Sequence, residues 1–575
     1  MGAFEGMNFR GQYYKWKGSI LPPRLTMALG VALDLGTSGY RGHLVDLDKK
    51  GKILATAITM RHPLPGANIM DHLHFWMENG PEVGHRIVIE TVDKLIATLG
   101  AKPEEISRVS VCGNPAQMSM FEKIEIRDLA FAGQSILKRL NVKVPERKAH
   151  SIKADELGMS SVRRTAEVRI PPSIRHEIGA DALAMIMKTG LMDKKETCMV
   201  TDYGTNAEMG LFYKGELYTG SAAAGPAMEG QSIDFGMLAA PQAISDIILG
   251  ENGRWYNVVL NEKLHPTRSA LVDPRTGEEQ RLDGVVARGI TGTGTVAAMA
   301  IGLETGVIKL PYVDTPDRKI HMTNGIYFGE EDVREAGKAT GAIRAGHRTL
   351  IEEVGVDDDE IKTMYMAGAS GTYVDPIKAQ TVGLIPRVLD KTVQAGNTSL
   401  MMSYDILVDD DGLDKMQDVA NAISSKHIMF ATSKVFEDIY VNEIAYWTEG
   451  MTMDMYNEMV KHAGLRPLPD IKRPKETIRL VLSDIPIIGA GGLRTLDDVG
   501  VYLEGSFEGC IGCKKCQKEC PECALQVSSI GNKKFLIRVN TEHCLGTACK
   551  NCQAVCPENV YDFSALKIVK KGTSA

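Results

Sequence analysis

Val31-Ala32-Leu33-Asp34-Leu35-Gly36-Thr37-Ser38-Gly39 decides the fold of the larger part of this 575-residue chain. Val31 and Leu33 alternate as in a strand, and a Gly/Thr/Ser turn follows. Residues 40–46 and 53–60 then read as two more strands, with Lys50-Gly51 at the turn between them. The unit returns later. Met199-Val200-Thr201-Asp202-Tyr203-Gly204-Thr205-Asn206 runs into the same kind of turn, followed by strands over 208–213 and 217–221 with Lys214-Gly215 at the hairpin. One D-x-G-T turn is a weak signal, because turns are rich in these residues. Two copies with the same strands after them imply two similar lobes facing each other across a cleft.

The turns have a readable chemistry. Gly36 and Gly204 let the backbone approach a phosphate closely, and Thr37, Ser38, Thr205 and Asn206 add hydroxyl, amide and backbone N–H donors. Asp34 and Asp202, at strand ends, are the candidate catalytic pair. They suit Mg2+ held through water, since that ion keeps much of its hydration and takes one or two carboxylates plus phosphates. A third Gly-rich stretch, residues 363–376, reads as an apolar strand feeding a turn in which Gly368 and Gly371 offer a flat adenine a surface without Cβ atoms. Gly292-Thr293-Gly294 reads as the start of a helix over 296–303. No G-x-x-x-x-G-K-[ST] is present, which excludes a P-loop protein.

The C-terminal tail carries different chemistry. Cys510, Cys513, Cys516 and Cys520-Pro521 form C-x2-C-x2-C-x3-C-P, and Cys544, Cys549, Cys552 and Cys556-Pro557 repeat it with four residues in the first gap. Such runs ligate [4Fe–4S] clusters, and in two-cluster ferredoxins the fourth cysteine of each run serves the other cluster. One cluster therefore takes Cys510, Cys513, Cys516 and Cys556, and the other takes Cys544, Cys549, Cys552 and Cys520. The competing reading, a pair of structural zinc sites, expects two separated C-x2-C knuckles.

Composition bounds the rest. Apolar residues make up 44% and charged residues 24%, ordinary for a globular chain of several domains. A net charge of −7 leaves no basic character to favour nucleic acid. Eight of the 11 cysteines sit in the two runs, which is a cluster pattern of a reducing cytoplasmic interior and not a disulfide framework. No apolar run reaches the roughly 20 residues of a membrane span. Residues 1–27 lack the apolar core of a secretory signal and read as an extension.

The two phosphate turns and the adenosine stretch resemble the actin/Hsp70/sugar-kinase ATPase superfamily. More narrowly, residues 28–445 are similar to ATP-dependent reductive activators of corrinoid proteins. The resemblance rests on Val111-Cys112-Gly113-Asn114-Pro115-Ala116-Gln117-Met118, Ile178-Gly179-Ala180-Asp181, Asp202 to Glu208, Gly225-Pro226-Ala227-Met228-Glu229-Gly230, Gly368 to Pro376, and Gly396-Asn397-Thr398. The double-cluster tail resembles the branch that serves the methylamine methyltransferases of methanogens. The acetogen-type activators carry an N-terminal [2Fe–2S] domain whose cysteines have no counterpart here. The resemblance implies an α/β fold with duplicated actin/Hsp70-like ATPase lobes and a C-terminal α+β ferredoxin domain of the bacterial two-[4Fe–4S] type. It implies an ATP-hydrolysing oxidoreductase that binds ATP, Mg2+ and two clusters. It also implies one-electron reduction of Co(II) to Co(I) on methylamine methyltransferase corrinoid proteins, fed by a low-potential electron donor. The D-x-H-x-x-G cobalamin-ligand pattern is absent, so the cobalt belongs to a partner.

The division expected is an extension over 1–27, the duplicated body over 28–445, a connecting region over 446–505 and the two-cluster domain over 506–575, acting as a monomer with no nucleic acid or membrane. Rival readings are an activator of another radical enzyme such as a 2-hydroxyacyl-CoA dehydratase, a small-molecule kinase with a fused ferredoxin, and a polyferredoxin scaffold that binds nucleotide without turnover. Asp71-His72-Leu73-His74 lacks a second group of ligands and reads as structural or partner-facing. Cys523 reads as a buried free thiol.

Overall fold

The structure, a computed structural model, describes residues 6–7, 13–14 and 28–569 except 67, 132–133, 175–177, 205, 224–231, 238, 283, 424–425, 498 and 547–548. The expected extension over 1–27 lies almost wholly outside the described residues, as do Thr205 and the stretch 225–230.

Two sheets repeat one plan. In the first lobe, Leu29–Leu35 pairs antiparallel with Tyr40–Asp46, which pairs antiparallel with Lys52–Thr59. On its other side Leu29–Leu35 runs parallel to Ile106–Gly113, and that strand runs parallel to Glu167–Ile170. In the second lobe, Cys198–Tyr203, Ala207–Tyr213 and Glu216–Ala222 form the same antiparallel trio. Thr363–Ala367 and Lys391–Gly396 continue it in parallel. Leu29–Leu35 is buried at every position, which explains why it reads as an apolar run up to Asp34. Both Lys-Gly pairs adopt left-handed backbone: Lys50 and Gly51 at φ 53° and 76°, Lys214 and Gly215 at φ 50° and 83°. At Lys214-Gly215 this makes a two-residue turn whose twist matches its strands. The first copy has a longer loop that ends on the same pair.

The lobes are locked by helices that cross between them. Thr398–Val408, which follows the fifth strand of the second lobe, packs on Leu29–Leu35 and Ile106–Gly113 of the first. Ser403 anchors it there: its Oγ accepts the Leu33 N–H at 3.0 Å, and its carbonyl accepts the Ser110 hydroxyl at 2.6 Å. Buried bonds of this kind contribute about 1 kcal/mol each.

Residues 446–505 do more than connect. The expected break at 445 falls inside the helix Lys434–Thr448. Glu476–Arg479 then adds a parallel strand beside Lys391–Gly396, and Leu493–Leu496 adds one beside Lys52–Thr59. This segment therefore extends both lobe sheets and straps them together. Its Pro-rich start reads as a linker because proline punctuation precedes the strands. The ferredoxin sheet begins earlier than 506, at Tyr502–Gly505, which lies between Phe535–Asn540 and Lys567–Val569.

The ferredoxin domain is not a free appendage. One continuous apolar core runs from Leu33, Phe75 and Trp76 of the first lobe to Val501, Leu503, Leu525 and Val539. The Gly66 N–H donates to the Cys544 carbonyl at 2.8 Å, and the Thr541 hydroxyl donates to the Pro63 carbonyl at 2.9 Å. Among the described residues no helix is long and apolar enough to cross a membrane.

Candidate functional site

Asp34, Gly36, Thr37 and Ser38 from one lobe and Asp202, Gly204 and Asn206 from the other line a single cleft of about 1260 Å³, open to solvent. Gly368 also lines it. Within the turns, the Gly36 N–H donates to the Gly39 carbonyl and the Gly204 N–H to the Asn206 carbonyl, both at 3.2 Å. Those two amides are used by the turns themselves, which leaves the residues after each glycine as the candidate donors to a phosphate. The helix Gly292–Glu304 turns its N-terminus into the same cleft through Thr291, Gly292 and Thr293, and adds the positive end of its dipole.

The two aspartates sit in unlike settings. Asp34 is 5% exposed, and Asn397 Nδ2 donates to its Oδ2 at 2.8 Å. Arg41, its partner across the hairpin, lies 3.6 Å away. Burial pushes the Asp34 carboxyl above its ordinary range, opposed by Arg41 and Asn397 and reinforced by Asp484. In the second lobe the residue paired across from Asp202 is Glu208, so the repeat places a carboxylate where the first copy places a guanidinium. Asp181 opens the helix Ala180–Thr189 in the cleft wall, and burial pushes it up to about 6. The cleft thus gathers Asp34, Asp181, Asp202, Glu208 and Asp484 around Arg41. That excess of negative charge fits a divalent cation. Among the described residues no three His, Cys, Asp or Glu side chains converge as ligands of one ion.

Gly368 and Gly371 are each required by a close neighbour. Gly368 has φ +81°, and a Cβ on it would lie 2.2 Å from Asp202 Oδ1, so its bare Cα makes room for that carboxylate. Gly371 lies behind the cleft wall, against the Met366 backbone and the Tyr203 ring. Asp484 was invisible in the sequence. It comes from the strap at the cleft mouth, reaches Arg41 at 3.5 Å and accepts the Tyr373 hydroxyl at 3.0 Å, joining both lobes. Arg41 and Glu208 carried only the weak signal of following each turn, whereas Asn114, Asp181 and Asn397 sat in the stretches that carried the resemblance without a role.

In the tail, the structure brings Cys510, Cys513, Cys516 and Cys556 around one cavity. Cys520, Cys544, Cys549 and Cys552 surround another. Each set draws three cysteines from one run and the fourth from the other, the crossed arrangement of a two-cluster ferredoxin rather than of two separate zinc knuckles. Apolar walls (Phe507, Val527 and Ile537 in the first cavity, Leu525, Val539 and Phe563 in the second) suit a compact cluster. So do the amides aimed at sulfur: Ala524 N–H to Cys520 Sγ and Gly546 N–H to Cys544 Sγ, both at 3.3 Å. Burial pushes the Cys516 thiol up to about 11 and the Cys544 thiol up to about 12. Without iron these groups hold their protons, so cluster assembly must release them. Cys523 is exposed, contrary to the expectation of a buried thiol: it lies in the turn that closes the first run, at φ 51°, where its N–H donates to the Cys520 carbonyl. His72 of the Asp71–His74 stretch is fully buried, while His74 pairs with Glu78 at 2.8 Å.

Residues 29–194 match the family description "RACo middle region", residues 196–457 "C-terminal domain of RACo the ASKHA domain", and residues 504–566 "4Fe-4S dicluster domain". The chain is 44% identical over 542 residues to the "[Co(II) methylated amine-specific corrinoid protein] reductase" of Methanosarcina barkeri, covering 94% of this chain and all of that protein. It is 24% identical over 458 residues to the corrinoid activation enzyme RamQ of Eubacterium limosum, covering 72% of this chain and 69% of that protein. A solved structure of a reductive activator for a corrinoid, iron-sulfur protein superposes with a TM-score of 0.60 at 24% identity, covering 75% of this chain and 67% of that one. It shares the fold of the body.

Proposed function

The chain belongs to the family of corrinoid-protein reductases that the Methanosarcina barkeri protein represents, and from that premise we propose that it uses ATP to return methylamine-specific corrinoid proteins from inactive Co(II) to Co(I). The observation that carries the reading is the shared core: the lobe that holds the first phosphate turn and the domain that holds both cysteine cavities are one packed unit. Bound in these sites, two [4Fe–4S] clusters supply low-potential one-electron carriers, and Mg-ATP supplies the free energy of hydrolysis. For a one-electron step each ~60 mV uphill costs about 1.4 kcal/mol, and nucleotide can supply it only if its bound and hydrolysed states favour different conformations.

In this reading Asp202, beside Glu208, holds the metal, and Asp34, fixed by Asn397, orients the attacking water. Thr37, Ser38, Thr205 and Asn206 donate to the phosphates. Asp484 holds the strap to both lobes through Arg41 and Tyr373. The cysteine loops hold the carriers between an external low-potential donor and the partner's cobalt. One electron passed from a reduced cluster held by these loops would convert one Co(II) to Co(I). The internal duplication supplies both walls of the cleft, which supports a monomer, and two cluster-type cysteine runs support a cytoplasmic setting.

The test is anaerobic. The holoprotein is mixed with a Co(II) methylamine corrinoid protein, a strong reductant and Mg-ATP, and the cobalt spectrum is followed. Co(I) should appear with ATP and not with a non-hydrolysable analogue. Asp202→Asn should abolish it while iron and sulfide content stay at wild-type levels. ATP hydrolysis with intact clusters but no Co(I) would assign the electron to another acceptor and end this reading.

A further inference from the structure

A buried chain of polar side chains joins the first phosphate turn to the second cysteine cavity, and the activity above gives it no role. Tyr40 directly follows the turn, and its N–H donates to Thr59 Oγ1 at 2.7 Å. Its phenol oxygen lies 3.2 Å from His62 Nε2 and 3.4 Å from Gln117 Oε1. Gln117 is tied to the same turn by a second route: its N–H donates to Asn114 Oδ1 at 3.0 Å, and Asn114 Nδ2 donates to Thr37 Oγ1 at 2.9 Å. Gln117 Nε2 then donates to His72 Nδ1 at 3.0 Å. The His62 and His72 rings stack at 3.9 Å.

The far end reaches the cysteines. His62 Nδ1 accepts the Leu64 N–H at 3.1 Å. Pro63 and Gly66, on either side of Leu64 and Pro65, hold Thr541 and the Cys544 carbonyl. His72 lies against the Gly66 backbone. Cys544 is the first cysteine of the second run.

Both Nδ1 atoms are acceptors in this network, so both Nε2 atoms carry the proton. His62 Nε2–H donates to Gln117 Oε1 at 2.9 Å. His72 Nε2 is buried and closes no hydrogen bond of ordinary length among the described residues. Tyr40, His72 and Gln117 are fully buried, and His62 is 5% exposed. Burial lowers the proton affinity of both imidazoles, which keeps the pair neutral. A buried donor held only by a long contact to the Gly66 backbone leaves free energy to be gained when that contact shortens. The acceptor is the Gly66 carbonyl, since the Gly66 N–H donates to the Cys544 carbonyl, and at φ +112° a Cβ on Gly66 would strike Asp71, so only glycine fits there.

We propose that Gln117, His62 and His72 are positioning residues that tie the second cluster to the nucleotide state of the first phosphate turn. Phosphate in the turn redirects its donors and shifts Tyr40 and Asn114. Gln117 carries that shift to His72, whose Nε2–H closes on the Gly66 backbone and moves the loop that holds Cys544. The consequence is a nucleotide-dependent midpoint potential for the cluster held by Cys520, Cys544, Cys549 and Cys552, with the other cluster unaffected. This rests on the reading that the cleft takes ATP and the cavities take clusters.

The experiment is a redox titration of the two-cluster protein by electron paramagnetic resonance, with and without the non-hydrolysable ATP analogue and Mg2+. In the wild type one cluster's midpoint should move on nucleotide binding. His72→Phe keeps the stacked ring and removes its nitrogens, and Gln117→Leu removes the amide. Each should abolish the movement while both clusters and nucleotide affinity are retained. A wild type with no nucleotide-dependent shift, or a shift that survives in a folded His72→Phe or Gln117→Leu protein, overturns the proposal. If Co(I) still forms with ATP in that case, the activity assigned above stands and only this coupling falls.

Discussion

Gly368→Ala is the sharpest probe of the cleft, because one methyl group meets one carboxylate. At φ +81° the backbone is left-handed, which costs an L-residue about 1–2 kcal/mol. The new Cβ would lie 2.2 Å from Asp202 Oδ1, so the carboxylate has to retreat by about 1 Å to reach ordinary contact. Displacement of that size in a positioned group costs on the order of 100-fold in rate. Gly368 begins the short helix after Thr363–Ala367, far along the chain from the cysteine domain, so neither cavity is touched. The assay compares steady-state ATP hydrolysis, iron and sulfide content, and thermal unfolding of the variant and wild type. The expected result is a fall in kcat of about 100-fold, full cluster content and a stability loss of about 1–2 kcal/mol. A Gly368→Ala protein that hydrolyses ATP at the wild-type rate would refute the assignment of Asp202 to the reacting phosphate.

Two further outcomes follow from the same geometry. Asp484→Asn removes a negative charge that helps raise the Asp34 carboxyl, so Asp34 should ionise at lower pH. If the ionised form is the active one, activity is lost as pH falls through that pKa, and the acid limb of the ATPase profile should move to lower pH in the variant. An unmoved limb would separate Asp34 from the titration. Tyr561 lines the first cysteine cavity with its buried hydroxyl against Cys552 of the second, though it closes no bond of ordinary length. A donor at sulfur favours the more negative reduced cluster, so Tyr561→Phe should lower one midpoint by on the order of 50 mV, about 1.2 kcal/mol. Equal potentials in variant and wild type would place the hydroxyl elsewhere.

Features set by short stretches of chain were legible before any coordinates. The repeated D-x-G-T turn, its two following strands and the Lys-Gly hairpins reflect the period of a strand and the left-handed backbone of a turn, both local properties. The helix expected over 296–303 was readable for the same reason, and the structure starts it earlier, at Gly292, with Thr291 as its cap. Three cysteines on one tight loop and a fourth at a distance likewise encode a cube's need for a separate last ligand. The strap was misread because a strand of four residues, Glu476–Arg479 or Leu493–Leu496, is too short to show a period, and only a neighbouring sheet edge makes it a strand.

What the sequence by itself determined is thus the kind of chemistry: two phosphate turns, two sets of thiolates, and a chain that contains both. The tertiary structure alone decided how charge and contact are shared. Asn397 meets Asp34 across 363 residues and Asp484 meets Tyr373 across 111. The stacked imidazoles of His62 and His72 join the nucleotide lobe to Cys544 through a loop whose residues bear no motif. The physical reason is that backbone conformation and metal-ligand spacing are written in neighbouring residues. Burial, which raises the Asp34 carboxyl, neutralises the histidines and forbids a Cβ at Gly368, exists only once distant segments have packed.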